Sequence, residues 1–198
     1  MGYSWTHIAA APVGDANGFL ISVNMKATAY TLDATVPTFG ARHVTCTRAV
    51  VGAADVTTGG LVLVGKDLAG SVITETLAVG ANGVLVTGTK FFASLTSART
   101  AGWVVDTGAD TLEIGWDAEC AVATGNGTLH GIVINTTAAG IITVADARGT
   151  IAVIPVSVAV GTFYEYDANF SGYLRVEPAA ASDITVIHSG SMPSSYSL

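Results

Sequence analysis

Polar and apolar residues alternate along this chain in short runs broken by Gly, Asn and Asp, and no segment keeps a helical period. Runs rich in Val, Ile, Thr and aromatics predict strands at 19–24, 43–51, 61–66, 71–79, 83–87, 90–97 and 111–116. A second series follows at 129–135, 141–145, 150–158, 162–166, 173–177 and 184–188. Turn residues separate them: "DLAG" at 67–70, "GANG" at 80–83, "AAG" at 138–140, "DARG" at 146–149, and the stretch 167–172. Strands this short and this closely spaced point to antiparallel sheets and not to βαβ units.

The predicted fold class is therefore all-β. An antiparallel β-sandwich or jelly-roll-like domain is expected at 43–122, and a small β-sandwich at 132–190. The small, flexible stretch "ATGNGTLHG" at 123–131 reads as a linker, residues 1–42 as an irregular arm, and 191–198 as a polar tail. In the first domain, a four-residue reversal at 67–70 sets Lys66 opposite Ser71 and Val62 opposite Glu75. Glu75 then shares a face with Ile73 and Leu77. A carboxylate there requires a hydrogen-bonding partner or the cover of a neighbouring subunit.

Composition sharpens the picture. Half of the 198 residues are hydrophobic but only 12% are charged, against roughly 25% in ordinary soluble domains. A surface with so few charges suits coverage by neighbouring subunits. The net charge is −7, and no two of the eight Lys and Arg residues are adjacent, which argues against a nucleic-acid partner. No apolar run reaches spanning length and no basic amphipathic stretch occurs, so no membrane partner is expected. The segment 1–19 lacks the pattern of a signal peptide, and two cysteines, Cys46 and Cys120, make no disulfide framework. Synthesis in a cytoplasm with both thiols free is expected.

Candidate chemistry is thin. Asp106-Thr107-Gly108 reads like the catalytic loop of a retroviral-type aspartic protease, which needs two such carboxylates sharing a site. The triplet occurs once, so only a homodimer would serve, and no supporting apolar strand follows at suitable spacing. A turn between strands is the better reading. His43 and Cys46 form H-x-x-C, but residues three apart on a strand face opposite ways. His130 reads as a hydrogen-bonded structural histidine. Asp106, Asp110, Asp117 and Glu119 crowd oxygen ligands together without the spacing of a calcium loop. No G-x-S-x-G occurs, and the Gly-rich pieces lack the helix and Lys of a phosphate loop. No catalytic residue, metal ligand or cofactor is therefore assigned. Tyr164, Tyr166, Phe170 and Tyr173 leave a glycan-binding face as an alternative, since sugar faces stack on aromatic rings.

The stretch "LVLVGKDLAGSVITETLAVGANGVLVTGTKFFASLTSA" at 61–98 resembles a module of tailed-bacteriophage virion structural proteins. Its shared parts are a strand ending in Gly-x-Asp, a tight turn, Ile-Thr-Glu-Thr, an Asn-Gly turn, Gly-Thr-Lys-x-Phe and a Leu-Thr-Ser strand. "DTLEIGWDAE" at 110–119 is similar to the close of that module, and 131–189 to small β domains of head or tail proteins. The resemblance implies a non-enzymatic subunit of the virion, most simply a head decoration (cement) or minor capsid protein on the capsid surface. It would be a homo-oligomer, with a trimer expected, and its partner would be the major capsid protein. A tail or neck component is the alternative within the virion. Trp5, Phe19 and Tyr30 of the N-terminal arm, with Glu75, are the expected assembly contacts. If Asp106 is only a turn residue, Asp106→Asn should shift stability by no more than roughly 0.5 kcal/mol. Peptidase assays at acid pH should then find no activity in either protein.

Overall fold

The computed structural model describes residues 3–8, 14–37, 40–51, 59–105 and 109–191, and is all-β and antiparallel, with no helix among the described residues. Two compact units divide the chain. One is continuous, Gly14–Asp117; the other combines Met1–Val13 with Ala118–Leu198.

The continuous unit is a β-sandwich. One layer is β3 (Ala29–Tyr30), β8 (Ser94–Thr100), β5 (Leu61–Lys66) and β6 (Val72–Leu77), in that order. The other is built from β2 (Asp15–Asn24), β4 (Ala41–Ala49), β7 (Val86–Phe92) and the first residues of β9 (Thr111–Ile134); β9 pairs with β2 and β4, and β4 with β7. Alternation explains the sandwich, because each strand turns one set of side chains inward. Leu61 and Leu63 of β5, Leu95 and Ala98 of β8, Val44 and Cys46 of β4, and Leu112 and Ile114 of β9 form one buried cluster. Phe19 completes it, its ring edge-on to Trp116 at 4.8 Å.

The β5–β6 hairpin has a different register from the sequence expectation. Leu63, not Val62, lies opposite Glu75, and Lys66 opposite Val72. Asp67 pairs with Ser71 through its own N–H, so the loop is the three residues Leu68, Ala69 and Gly70. Gly70 takes φ +81°, the left-handed position that ends such a loop. Leu68 is 2% exposed, so an apolar side chain pulls the turn inward and sets the register. Glu75 is hydrogen-bonded, as its position requires. Its carboxylate accepts from the Thr89 N–H (2.6 Å), the Thr89 hydroxyl (2.9 Å) and the Lys90 N–H (3.3 Å) of β7.

The second unit is a curled antiparallel sheet. β1 (Ser4–Ile8) pairs with β14 (Ile184–Ser191), and β14 with β9; β9 also pairs with β12 (Phe163–Phe170) and β13 (Tyr173–Pro178). From β13 the sheet continues to β10 (Ile142–Asp146) and β11 (Gly149–Ile154). Leu129, Ile132 and Ile134 of β9, Val144 of β10, Leu174 and Val176 of β13, and Ile184 and Val186 of β14 are fully buried.

Three organisational expectations change. Residues 1–42 are not an irregular arm: β1, β2 and β3 lie within them and belong to the two units. Residues 123–131 are not a linker but part of the 24-residue β9, and the division between units falls at 117/118. The break expected between 87 and 90 lies inside β7, and the real one is at Ala93. Asp106-Thr107-Gly108, and the tail beyond residue 191, lie outside the described residues.

Glu75→Ala should cost about 1–3 kcal/mol in chemical denaturation, because it strips an acceptor from two backbone N–H groups and a hydroxyl. Phe19→Ala, which empties part of the sandwich core, should cost about 3–5 kcal/mol.

Candidate assembly face

The outward face of β1-β14-β9-β12 in the second unit carries unusually bare apolar groups. Pairing places Trp5, Ile187, Gly131 and Glu165 in one row across the four strands. His7, Thr185, Val133 and Phe163 form the next. Side chains directly across an antiparallel pair share a face, so the two rows make one surface. Trp5 is 71% and Phe163 51% exposed, while Ile187 and Val133 are half-buried between them. A Cβ at Gly131 would lie 2.3 Å from the Phe163 ring, so the glycine is what lets the ring lie down on the sheet. Four strands spaced by ~4.8 Å put the Trp5 and Phe163 columns ~14 Å apart.

Polar groups frame this surface. His7 Nε2 meets Asp183 Oδ1 at 2.8 Å, and that oxygen also accepts from Asn135 Nδ2 at 2.9 Å. His130 Nδ1 pairs with Asp167 Oδ1 at 2.8 Å, and its ring meets Tyr3 edge-on at 4.6 Å. Asp167 holds φ +45°, one of the few side chains that accept this backbone readily, at a bulge in the β12–β9 pairing.

Behind the face, on the buried side of β14, lies His188. It is fully buried, with Nε2 3.3 Å from the Thr6 hydroxyl. Its Nδ1 is buried with no hydrogen-bond partner among the described residues. Burial, reinforced by nearby His130, lowers its pKa from 6.5 to about 4.

Of the expected assembly contacts, Trp5 alone is on an exposed surface. Phe19 is fully buried and Tyr30 is 8% exposed, both in the core of the other unit, so neither is free to reach a neighbour. Glu75 is engaged by β7. The residues that sequence reasoning missed are Phe163, Ile187 and Val133. The only signal for them was the period-two pattern of three strands that pair far apart in sequence.

The remaining candidates make contacts within the fold. His43 Nδ1 pairs with Asp117 Oδ2 at 3.0 Å and stacks on Phe91, while Cys46 sits in the sandwich core, where burial pushes its thiol up to about 12. Both cysteines are buried thiols, not bridged to each other. Asp110 is buried and accepts the Val51 N–H at 2.6 Å; Glu119 pairs with Arg175. Tyr164 and Tyr166 stack on each other, half-buried, and Phe170 is 2% exposed, so this aromatic set forms no open platform for a sugar.

No family model, curated protein or solved structure matches this chain.

His188 makes stability pH-dependent in a defined direction. The unfolded chain binds a proton near pH 6.5, the folded one only near 4, so the unfolded state binds more protons between those values. This contribution is complete above about pH 6.5 and is lost as the pH falls toward about 4, amounting to at most ~3 kcal/mol. Urea denaturation at a series of pH values should show this loss, and His188→Leu should flatten it.

Proposed function

We propose that this chain is a non-enzymatic structural subunit of a bacteriophage virion. It acts as a capsid decoration (cement) or minor capsid protein that stabilises the head, works as a homotrimer and binds the major capsid protein. The observation that carries the reading is one sheet face on which Trp5 and Phe163, in adjacent rows, stand exposed on either side of Ile187 and Val133. Large side chains this exposed, gathered on one face, mark a surface for protein contact.

Two further features support it. The carboxylates described above are engaged by backbone N–H groups, side chains and local ion pairs. The resemblance of 61–98 to virion modules supplies the setting, and in the structure that stretch is the β5–β6–β7–β8 part of the sandwich.

Sedimentation of the purified protein should find a symmetric oligomer. Because its contact face is apolar, raising the salt from about 0.1 to 1 M should leave it intact. Trp5→Asp combined with Phe163→Asp should yield monomers with little loss of thermal stability, and should abolish attachment to capsids. A wild type that stays monomeric and binds neither capsids nor tails would overturn the reading, and binding only to a tail or neck ring would move the subunit there.

A further inference from the structure

One end of the second unit holds an open cleft of about 680 Å³, within the range of roughly 300–1,000 Å³ typical of small-molecule sites. Its walls are residues 126–128 of β9, the end of β12, Ser189 and Gly190 of β14, and Arg148 in the β10–β11 turn. Asn169, Thr128 and Ser189 stand in one row across β12, β9 and β14.

The hydrogen bonding within this cleft is lopsided. Asn126 Oδ1 accepts from the Ser171 hydroxyl (3.0 Å) and the Gly172 N–H (3.4 Å). The N–H identifies that atom as the oxygen, which leaves the Asn126 amide nitrogen without an acceptor among the described residues. Asn169 Oδ1 accepts from Thr128 Oγ1 at 3.1 Å, leaving its nitrogen likewise. Arg148 gives Nε to Asp146 Oδ2 (2.8 Å) and Nη2 to the Asn169 carbonyl (2.6 Å), so Nη1 has no protein acceptor among the described residues. Three fixed donor groups thus surround the cleft, and the Ser189 hydroxyl adds one that both donates and accepts.

A matching ligand is rich in oxygen acceptors. It is also uncharged: Asp146 already neutralises Arg148, and the chain carries −7 overall. Phe170 lies on the opposite, buried side of these strands, its ring 2.5 and 3.0 Å from where a Cβ at Gly127 and Gly190 would stand, so both positions are kept as glycine. Several outward donors around one open cleft match the hydroxyl and ring oxygens of a sugar. We infer that this cleft binds a neutral saccharide, with the amides of Asn126 and Asn169 and the Arg148 guanidinium donating to its hydroxyl oxygens. The inference does not depend on the virion reading.

Nitrogen-15 NMR titration with neutral disaccharides of glucose, galactose and N-acetylglucosamine tests it directly. At least one should shift the amide signals of 126–128, 169–171 and 189–190 at about 1–10 mM, the affinity expected of an open polar site. Asn126→Asp with Asn169→Asp keeps both accepting oxygens, and hence the protein's own bonds, while turning each free donor into an acceptor. This pair should weaken binding at least about tenfold with the rest of the spectrum unchanged. If the pair perturbs folding, Asn169→Asp alone, at an exposed position, should still weaken binding severalfold. Absence of any shift, shifts confined to other surfaces, or full binding by the variants would overturn the inference. So would a uronic acid binding more than about tenfold tighter than its neutral sugar, since that marks an anion site.

Discussion

Carboxylate and amide oxygens accepting backbone N–H groups hold this protein's turns in place, and much else depends on them. An antiparallel fold of short strands has many reversals, and each leaves N–H groups that the ladders do not satisfy. Asp146 is the fullest case. At 3% exposure, its carboxylate accepts from the N–H groups of Arg148 (2.8 Å), Gly149 (3.2 Å) and Ser171 (2.9 Å), and from the Arg148 guanidinium. Burial raises its pKa, but these bonds outweigh burial and hold the carboxyl below its ordinary value. One side chain thereby ties the β10–β11 turn to the β12–β13 turn. Asp67 does the same for the Ser71 N–H, Asp33 for Ile21, Asn82 for Val50 and Glu75 for Thr89. With charged residues at only 12% of the chain, few acids remain for chemistry once the turns have been served.

This explains which parts of the fold were legible. Alternation located β13 and β14 to within a few residues, because both obey period two with little interruption. It failed where local chemistry overrides alternation. The β5–β6 register slipped by one because buried Leu68 and left-handed Gly70 shorten the loop, and neither property is visible in "DLAG". β2 escaped notice over its first half because its pairing with β9 shifts twice, between Asp15 and Leu20 and again before Val23, which scrambles the inward set. "ATGNGTLHG" resembles a linker for a different reason. Gly127 and Gly131 permit close packing: a Cβ at Gly127 would lie 1.9 Å from the Ser189 carbonyl oxygen, and one at Gly131 against Phe163, while Gly125 takes φ +78°. Composition alone does not separate glycine that permits contact from glycine that permits bending.

The candidate sites were legible to a smaller degree. Trp5 was singled out, but with Phe19 and Tyr30, as though one exposed arm carried all three. Within "SWTHI" the alternation distinguishes Trp5 and His7 from Ile8, which is buried. Phe19 has no such internal marker, since its inward orientation follows from contact with Trp116, nearly a hundred residues away. The saccharide cleft was unreadable for the same reason. Asn126, Arg148, Asn169 and Ser189 come from three strands and a turn, and only the pairing of β12, β9 and β14 assembles them.

Edge strand β1 brings these arguments together. Among the described residues it pairs on one side only, with β14, so its other side offers backbone donors and acceptors to any strand that approaches. Isolated domains protect such an edge with lysine, proline or a bulge. β1 contains none of the first two and pairs without a shift, and its one titratable side chain, His7, is tied to Asp183. Next to this edge lie Tyr3 and Trp5, 74% and 71% exposed. A chain that spends its acids on turns has little charge left to guard an edge. In the proposed assembly, a neighbouring subunit would cover that edge.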